Sequence, residues 1–302
     1  MTEQEFIKNC KERGLTTTQA QHCLDLYKYS KDIEWSFKKA KLDFDEFQMQ
    51  EAYKAFKNGL TKEQVEVFYK KEFDCDQMQE VRFAFQNGLA KDQIEVFCKK
   101  EFNACQIAQA RYAFEINFTK AQVVLFCKPE FNNYQMHVAV VAFENGLTMA
   151  QVDSFYKPEF DSEQMDQARK AFQKCLTPKQ VEFFYRKEFD NYQMAQARNA
   201  FEHGLTKDQI EFFYKQEFSS AQMHQSRLAF EAGLTKKQVE IFYKQEFSPA
   251  QMEQSRLAFE DGANIEQVEQ ILSATGNKKP TQEAADHSPE VEGSTALMDF
   301  FN

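Results

Sequence analysis

The sequence predicts an all-α protein, an α-solenoid of about eight helix-turn-helix repeats, and three observations carry that expectation. Seven segments, beginning at Gly59, Gly88, Asn117, Gly146, Cys175, Gly204 and Gly233, follow one another at a spacing of 29 residues and are nearly the same. Each holds two stretches with apolar residues at helical spacing, and each stretch opens on a capping signal. A fixed period of this length belongs to arrays of supersecondary units, which bury their apolar faces only by stacking on neighbours.

The unit beginning at Gly204 shows the local code. Thr206 is followed three residues on by Gln209, a capping box in which the hydroxyl accepts from an early backbone N–H and the amide reaches back. A first helix therefore starts at Lys207 and is expected to run to about Lys215, with Ile210, Phe213 and Tyr214 on its apolar face. In the unit beginning at Cys175 the first helical residue is Pro178, where the missing N–H costs nothing. Pro129 and Pro158 stand just beyond the first helix in two units and mark the turn. A second box, Ser219 to Gln222, opens the second helix, and Pro249 marks the same boundary after Ser248. Met223, Ser226, Arg227 and Phe230 then fall on one face. Gly233 ends that helix in the left-handed conformation that glycine adopts without steric cost. Asn117 tolerates that place, whereas Cys175 predicts strain or a different cap.

The ends depart from the repeat, as capping units do. Residues 1–58 form a degenerate first unit, opening at Gly14 and interrupted by about sixteen extra residues around Trp35, an insertion expected to be a longer capping helix, with a loop of separate role as the alternative. Seven repeats occupy 59–261, a closing helix 262–273. From residue 274 to 302 the chain is polar and without helical period, the composition of a disordered tail.

Composition excludes several classes. The formal charge of −10 repels a phosphate backbone at long range. The opening MTEQEFIKNCKERG has no apolar core and no stretch is apolar enough to span a bilayer, so an intracellular, cytoplasmic protein without membrane association is expected, nuclear if eukaryotic. Seven cysteines with no C-x-x-C pair read as reduced thiols. Cys98 and Cys127 take the place of the repeat tyrosine and read as packing changes. The histidines His22, His137, His203, His224 and His287 sit at different unit positions, and no hydrolase triad, zinc-helix or phosphate-loop pattern is present. Neither an enzyme nor a cofactor is expected.

Two rows recur along the second helix. Arg82, Arg111, Arg169, Arg198, Arg227 and Arg256 lie at the edge of the packed face. They are expected to pair with the acid before each turn, Glu72, Glu101, Glu159, Glu188, Glu217 and Glu246, as a structural ladder. The competing reading is a row of guanidinium groups arranged for an acidic peptide or phosphates. Val140 interrupts the row. Gln109, Gln167, Gln196, Gln225 and Gln254 have no capping duty and offer amides to a partner's backbone, or serve as helix formers. Together the rows make the candidate partner-binding face.

The chain closes on Ser294-Thr-Ala-Leu297-Met298-Asp-Phe300-Phe301, which resembles the sliding-clamp peptide called the PIP box. Leu297, Phe300 and Phe301 match its aliphatic and aromatic plug, Met298 adds apolar surface, and Ser294 stands where the pattern has glutamine. The resemblance implies a short helical turn inserted into a DNA sliding clamp. The repeat itself, G-L-T-x-x-Q-V with F-D/N/S-x-x-Q-M-x-x-x-R-x-A-F, is similar to helical repeats of uncharacterised bacterial proteins of Firmicutes and mobile-element type, over about 44–272. Its opening also resembles transcription-activator-like effector repeats, which implies nucleic-acid binding, although the base-reading loop is missing. The expectation is a non-catalytic scaffold for a protein or peptide partner, with a nucleic-acid-binding solenoid as the alternative.

Overall fold

A computed structural model describes residues 2–276, which form nineteen helices with no strand among the described residues. They fall into two compact units divided between Gly204 and Leu205. The tail residues Ser294, Leu297, Met298, Phe300 and Phe301 lie outside the described residues.

The first unit opens with α1 (Glu3–Glu12), α2 (Thr17–Ser30), α3 (Ile33–Ala40) and α4 (Glu46–Lys57). The repeats then alternate a short and a long helix: α5 (Lys62–Phe68) and α6 (Cys75–Gln86), α7 (Lys91–Phe97) and α8 (Ala104–Glu115), α9 (Lys120–Phe126) and α10 (Asn133–Glu144). They continue with α11 (Met149–Phe155) and α12 (Ser162–Gln173), then α13 (Pro178–Phe184) and α14 (Asn191–Glu202). Within this unit the long helices α4 to α14 pack each on the next, a solenoid-like stack. The second unit holds α15 (Lys207–Phe213), α16 (Ser220–Glu231), α17 (Lys236–Phe242), α18 (Pro249–Glu260) and α19 (Ile265–Gly276). There α16 packs on α18, which packs on α19.

The capping boxes form as expected: Thr206 and Gln209 exchange hydrogen bonds at the start of α15, and Ser219 and Gln222 at the start of α16. At α7 the cap residue is Ala90, so the side-chain half of the box is lost. The long helices close in Schellman geometry. Leu234 N–H donates to Ala229 C=O and Gly233 N–H to Phe230 C=O, both at 3.0 Å, with Gly233 at φ +86°. Cys175 and Asn117 keep the same turn at φ +62° and +68°, so the cysteine is strained, not differently capped.

Three boundaries depart from the sequence pattern. The short helices have seven residues, because Tyr214 already leaves helical geometry at ψ 82°. The closing helix α19 runs to Gly276, and Gln251 Nε2 reaches Thr275 Oγ1 at 3.2 Å. α1 is a helix that the repeat does not announce, opened by its own Thr2–Glu5 box and burying Phe6 and Cys10. Around Trp35 the extra residues lengthen α2 and form α3, which places Phe37 and Ala40 in a core with Phe6, Leu15, Ala20 and Leu24.

The core repeats too. Val152 and Phe155 of α11, like Val123 and Phe126 of α9, are fully buried. Met136, Met165 and Met194 and the small Ala139, Ala168 and Ala197 of the long helices are fully buried as well. Alanine there lets neighbouring helices approach closely, so substituting a larger side chain would strain the stack.

Candidate partner-binding surface

Within each unit three kinds of polar contact join neighbouring repeats, and these account for most residues that recur. The capping glutamine of a long helix caps with its amide oxygen and, in most repeats, donates from its amide nitrogen across the stack. Gln48 Nε2 donates to Phe73 C=O at 2.5 Å, Gln106 to Phe131 at 2.5 Å, and Gln135 to Phe160 and Gln164 to Phe189 at 2.7 Å. The second contact uses a tyrosine that follows the short helix in several repeats. Tyr156 Oη donates to Phe126 C=O at 3.0 Å and Tyr185 Oη to Phe155 C=O at 2.7 Å, each receiving carbonyl lying at the end of the preceding short helix. Their rings stack on Phe131 and Phe160, with centroids 3.9 and 3.8 Å apart. In the second unit Tyr243 repeats both contacts, on Phe213 and Phe218.

The third contact is the arginine ladder, and it corrects the expected pairing. The acids before the turns are exposed. The arginines bond instead to a residue 31 positions back, on the preceding long helix, and to one four positions on. Arg82 Nε meets Glu51 at 2.8 Å and Arg111 Nε meets Glu80 at 2.9 Å. Arg198 Nε donates to Gln167 Oε1, and Arg256 Nε to Gln225 Oε1, both at 3.0 Å. The second partners are Gln86, Glu115, Glu202 and Glu260. Arg227 bonds Glu231 at 2.5 Å and His224 at 3.0 Å. Burial, and then the Arg227 charge, lower the pKa of His224, so it remains neutral beside the cation. The arginine and glutamine rows are therefore two halves of one ladder, with Glu51 and Glu80 in the glutamine column. The arginine side chains are only 6–19% exposed.

One repeat leaves the ladder. In α10, Val138 and Val140 stand where the glutamine and arginine belong, and both are buried. Two consequences follow on either side. Gln109 Oε1 is buried without a hydrogen-bond partner, since the arginine due 31 residues later is Val140. Arg169, with Val138 behind it, turns to Asp166 on its own helix at 2.7 Å and to Gln173 at 2.7 Å. Gln196 is half-buried, and Gln254, on the last long helix, is exposed.

The tyrosine contact fails in the same stretch. Cys98 and Cys127 replace the ring; burial pushes both thiols up to about 12, which keeps them protonated and poorly nucleophilic. All seven cysteines are free thiols. Cys127, together with Val124 in the place of a recurrent glutamate, lines a cleft of about 250 Å³ between α7 and α9, faced by Glu95, Lys99 and the Asp92–Lys120 ion pair at 3.1 Å.

The ladder consumes the recurrent polar groups, and a different column varies from repeat to repeat. The second residue of the long helices in the first unit reads Phe47, Asp76, Cys105, Tyr134, Glu163 and Tyr192. All six are exposed, and Phe47, Tyr134 and Tyr192 present rings that are 66%, 62% and 66% open to solvent. The residue that follows is the capping glutamine in all six helices, while this column carries aromatic or acidic side chains and, at Cys105, a thiol. Carboxylates there also suit the positive end of the helix.

No helix among the described residues is long and apolar enough to cross a membrane, and the described residues contain no cluster of side chains able to hold a metal ion. No family model, no curated protein and no solved structure matches the chain.

Proposed function

We propose that the chain is a non-catalytic helical-repeat scaffold that binds a protein or peptide along the column of Phe47, Asp76, Cys105, Tyr134, Glu163 and Tyr192. The observation that carries this reading is the exposure of three rings at one repeat position, interleaved with acids. Exposed aromatic side chains supply large contact area with few rotatable bonds, and they are enriched at protein interfaces. The acids favour a partner segment that combines apolar and basic side chains. The arginine row is engaged within the scaffold, which removes from the nucleic-acid alternative the groups that would have tracked phosphates.

A direct test is binding to an array of peptides of mixed apolar and basic composition. Tyr134→Ala with Tyr192→Ala is expected to weaken the best binder at least about tenfold, the cost of one or two interface anchors. Unchanged binding, or salt-dependent affinity for DNA or RNA instead, contradicts the proposal. The tail adds a second contact in this reading: Leu297, Phe300 and Phe301 dock to a sliding clamp and raise the local concentration of whatever the repeats hold. Phe300→Ala with Phe301→Ala is expected to abolish clamp capture, and equal capture by both proteins rejects the tail contact.

A further inference from the structure

The insertion that forms α3 carries chemistry that neither the repeat nor the exposed column uses. Trp35 and Lys39 are four residues apart and so share one face of the helix. Trp35 is 8% exposed, and its indole Nε1 is buried without an acceptor. Lys39 is 9% exposed. Its ammonium donates to Tyr69 C=O at 2.6 Å and lies 5.8 Å from the Trp35 ring centroid and 5.5 Å from that of Tyr69. That carbonyl is its one hydrogen-bond acceptor, although an ammonium carries three donors. The acids nearest in electrostatic effect, Glu66 and Glu72, are exposed and form no ion pair with it, and Lys38 and Lys70 oppose its charge.

Buried ammonium groups are ordinarily closed by a counter-charge, and buried indole N–H groups by an acceptor. Here both demands fall on the same face of one short helix. A water molecule answers them poorly, because its own protons then need acceptors and the surroundings are aromatic rings and a carbonyl already engaged. A ligand with lone pairs, negative charge and no donors answers both. The residual exposure of the two side chains restricts it to something small.

We propose that the Trp35–Lys39 face of α3 is a binding site for a small acceptor-only anion, a halide or a short carboxylate. Occupancy would strengthen the seam between the insertion and the first repeat, since Lys39 already bridges α3 to the residue that ends α5. It would also oppose the lowering of the Lys39 pKa by burial.

The test uses the full chain, in which Trp35 is the single tryptophan, so its indole signal has no competitor. Protein labelled with ¹⁵N at the indole is titrated separately with sodium chloride and sodium acetate, at ionic strength held constant with sodium isethionate. A saturable shift of the one indole cross-peak is expected in at least one arm. Saturation in chloride alone identifies a halide site, in acetate alone a carboxylate site, and in both a site that reads only charge and lone pairs. Lys39→Met should remove the saturable response and Lys39→Arg should retain it. Shifts that rise linearly in both arms of the wild-type titration, or a saturable response unchanged in Lys39→Met, overturn the proposal. Because the wild-type titration decides on its own, a variant that fails to fold does not shield the idea.

Discussion

Residues 146–203 and residues 88–145 have the same helices in the same order, yet their repeats are held to their neighbours by different chemistry. In the first stretch Tyr156 and Tyr185 cap the preceding short helices, and Arg198 bonds Gln167 across the stack. In the second, Cys98 and Cys127 replace the tyrosines, while Val138 and Val140 replace the two ladder residues. The fold survives because the buried Val, Phe, Met and Ala positions are shared by both stretches. Apolar burial thus sets the architecture. The polar contacts fix register, and their loss in one repeat leaves traces in the repeats on either side: the orphaned Gln109 before it and the redirected Arg169 after it.

The sharpest way to separate the two stretches is to remove equivalent side chains. Tyr185→Ala deletes a stacked ring and the hydroxyl on Phe155 C=O, and is expected to cost about 3–5 kcal/mol. Cys127→Ala, at the same repeat position, deletes one sulfur beside a cleft and should cost about 1 kcal/mol. Urea midpoints followed by far-ultraviolet circular dichroism measure both; equal losses would dissolve the distinction.

A second experiment attempts to repair the interruption. The partners an arginine at position 140 would need are in place: Gln109 lies 31 residues back with a free carbonyl oxygen, and Glu144 lies four residues on. Val140→Arg should therefore change stability by no more than about 1 kcal/mol, whereas the same change with Gln109→Leu and Glu144→Leu should cost about 3 kcal/mol by leaving a buried charge unpaired. A large loss in the otherwise unaltered chain would show that the interruption is more than a missing rung.

The smallest effects come from local backbone chemistry. Ala90→Thr supplies the hydroxyl absent from the cap of α7 and should stabilise by about 1 kcal/mol. Cys175→Gly relieves a left-handed cysteine, also by about 1 kcal/mol, and Asn117→Gly should gain only a few tenths, because asparagine tolerates that conformation. Thermal melts would rank the three, and no gain from Cys175→Gly would refute the strain assigned to that turn.

Much of this was legible in the residues. Caps and glycines mark the long helices to the residue, because those signals act within one turn of chain. The short helices end two residues sooner than their apolar spacing suggests, because the residue after the last phenylalanine leaves helical geometry whether it is Tyr214 or, in two repeats, Cys98 and Cys127. The arginine partners differ from the sequence expectation because they are distant in the chain. The acid before the turn is close in sequence, whereas the true partner sits one period plus two residues back on a parallel neighbour. The paired loss of Val138 and Val140, two columns of the repeat changing together, was the available clue. Trp35 and Lys39 announce nothing by pattern, because an insertion has no second copy to be compared with.

The central claim is that the recurrent arginine and glutamine rows form one ladder between repeats. It is tested most directly by a double-mutant cycle at Gln167 and Arg198, measured by urea denaturation of wild type, Gln167→Ala, Arg198→Ala and the double variant. The ladder predicts a coupling of about 1 kcal/mol, the worth of a hydrogen bond to a charged group in a partly buried setting. Additive losses, with coupling below about 0.3 kcal/mol, would contradict it.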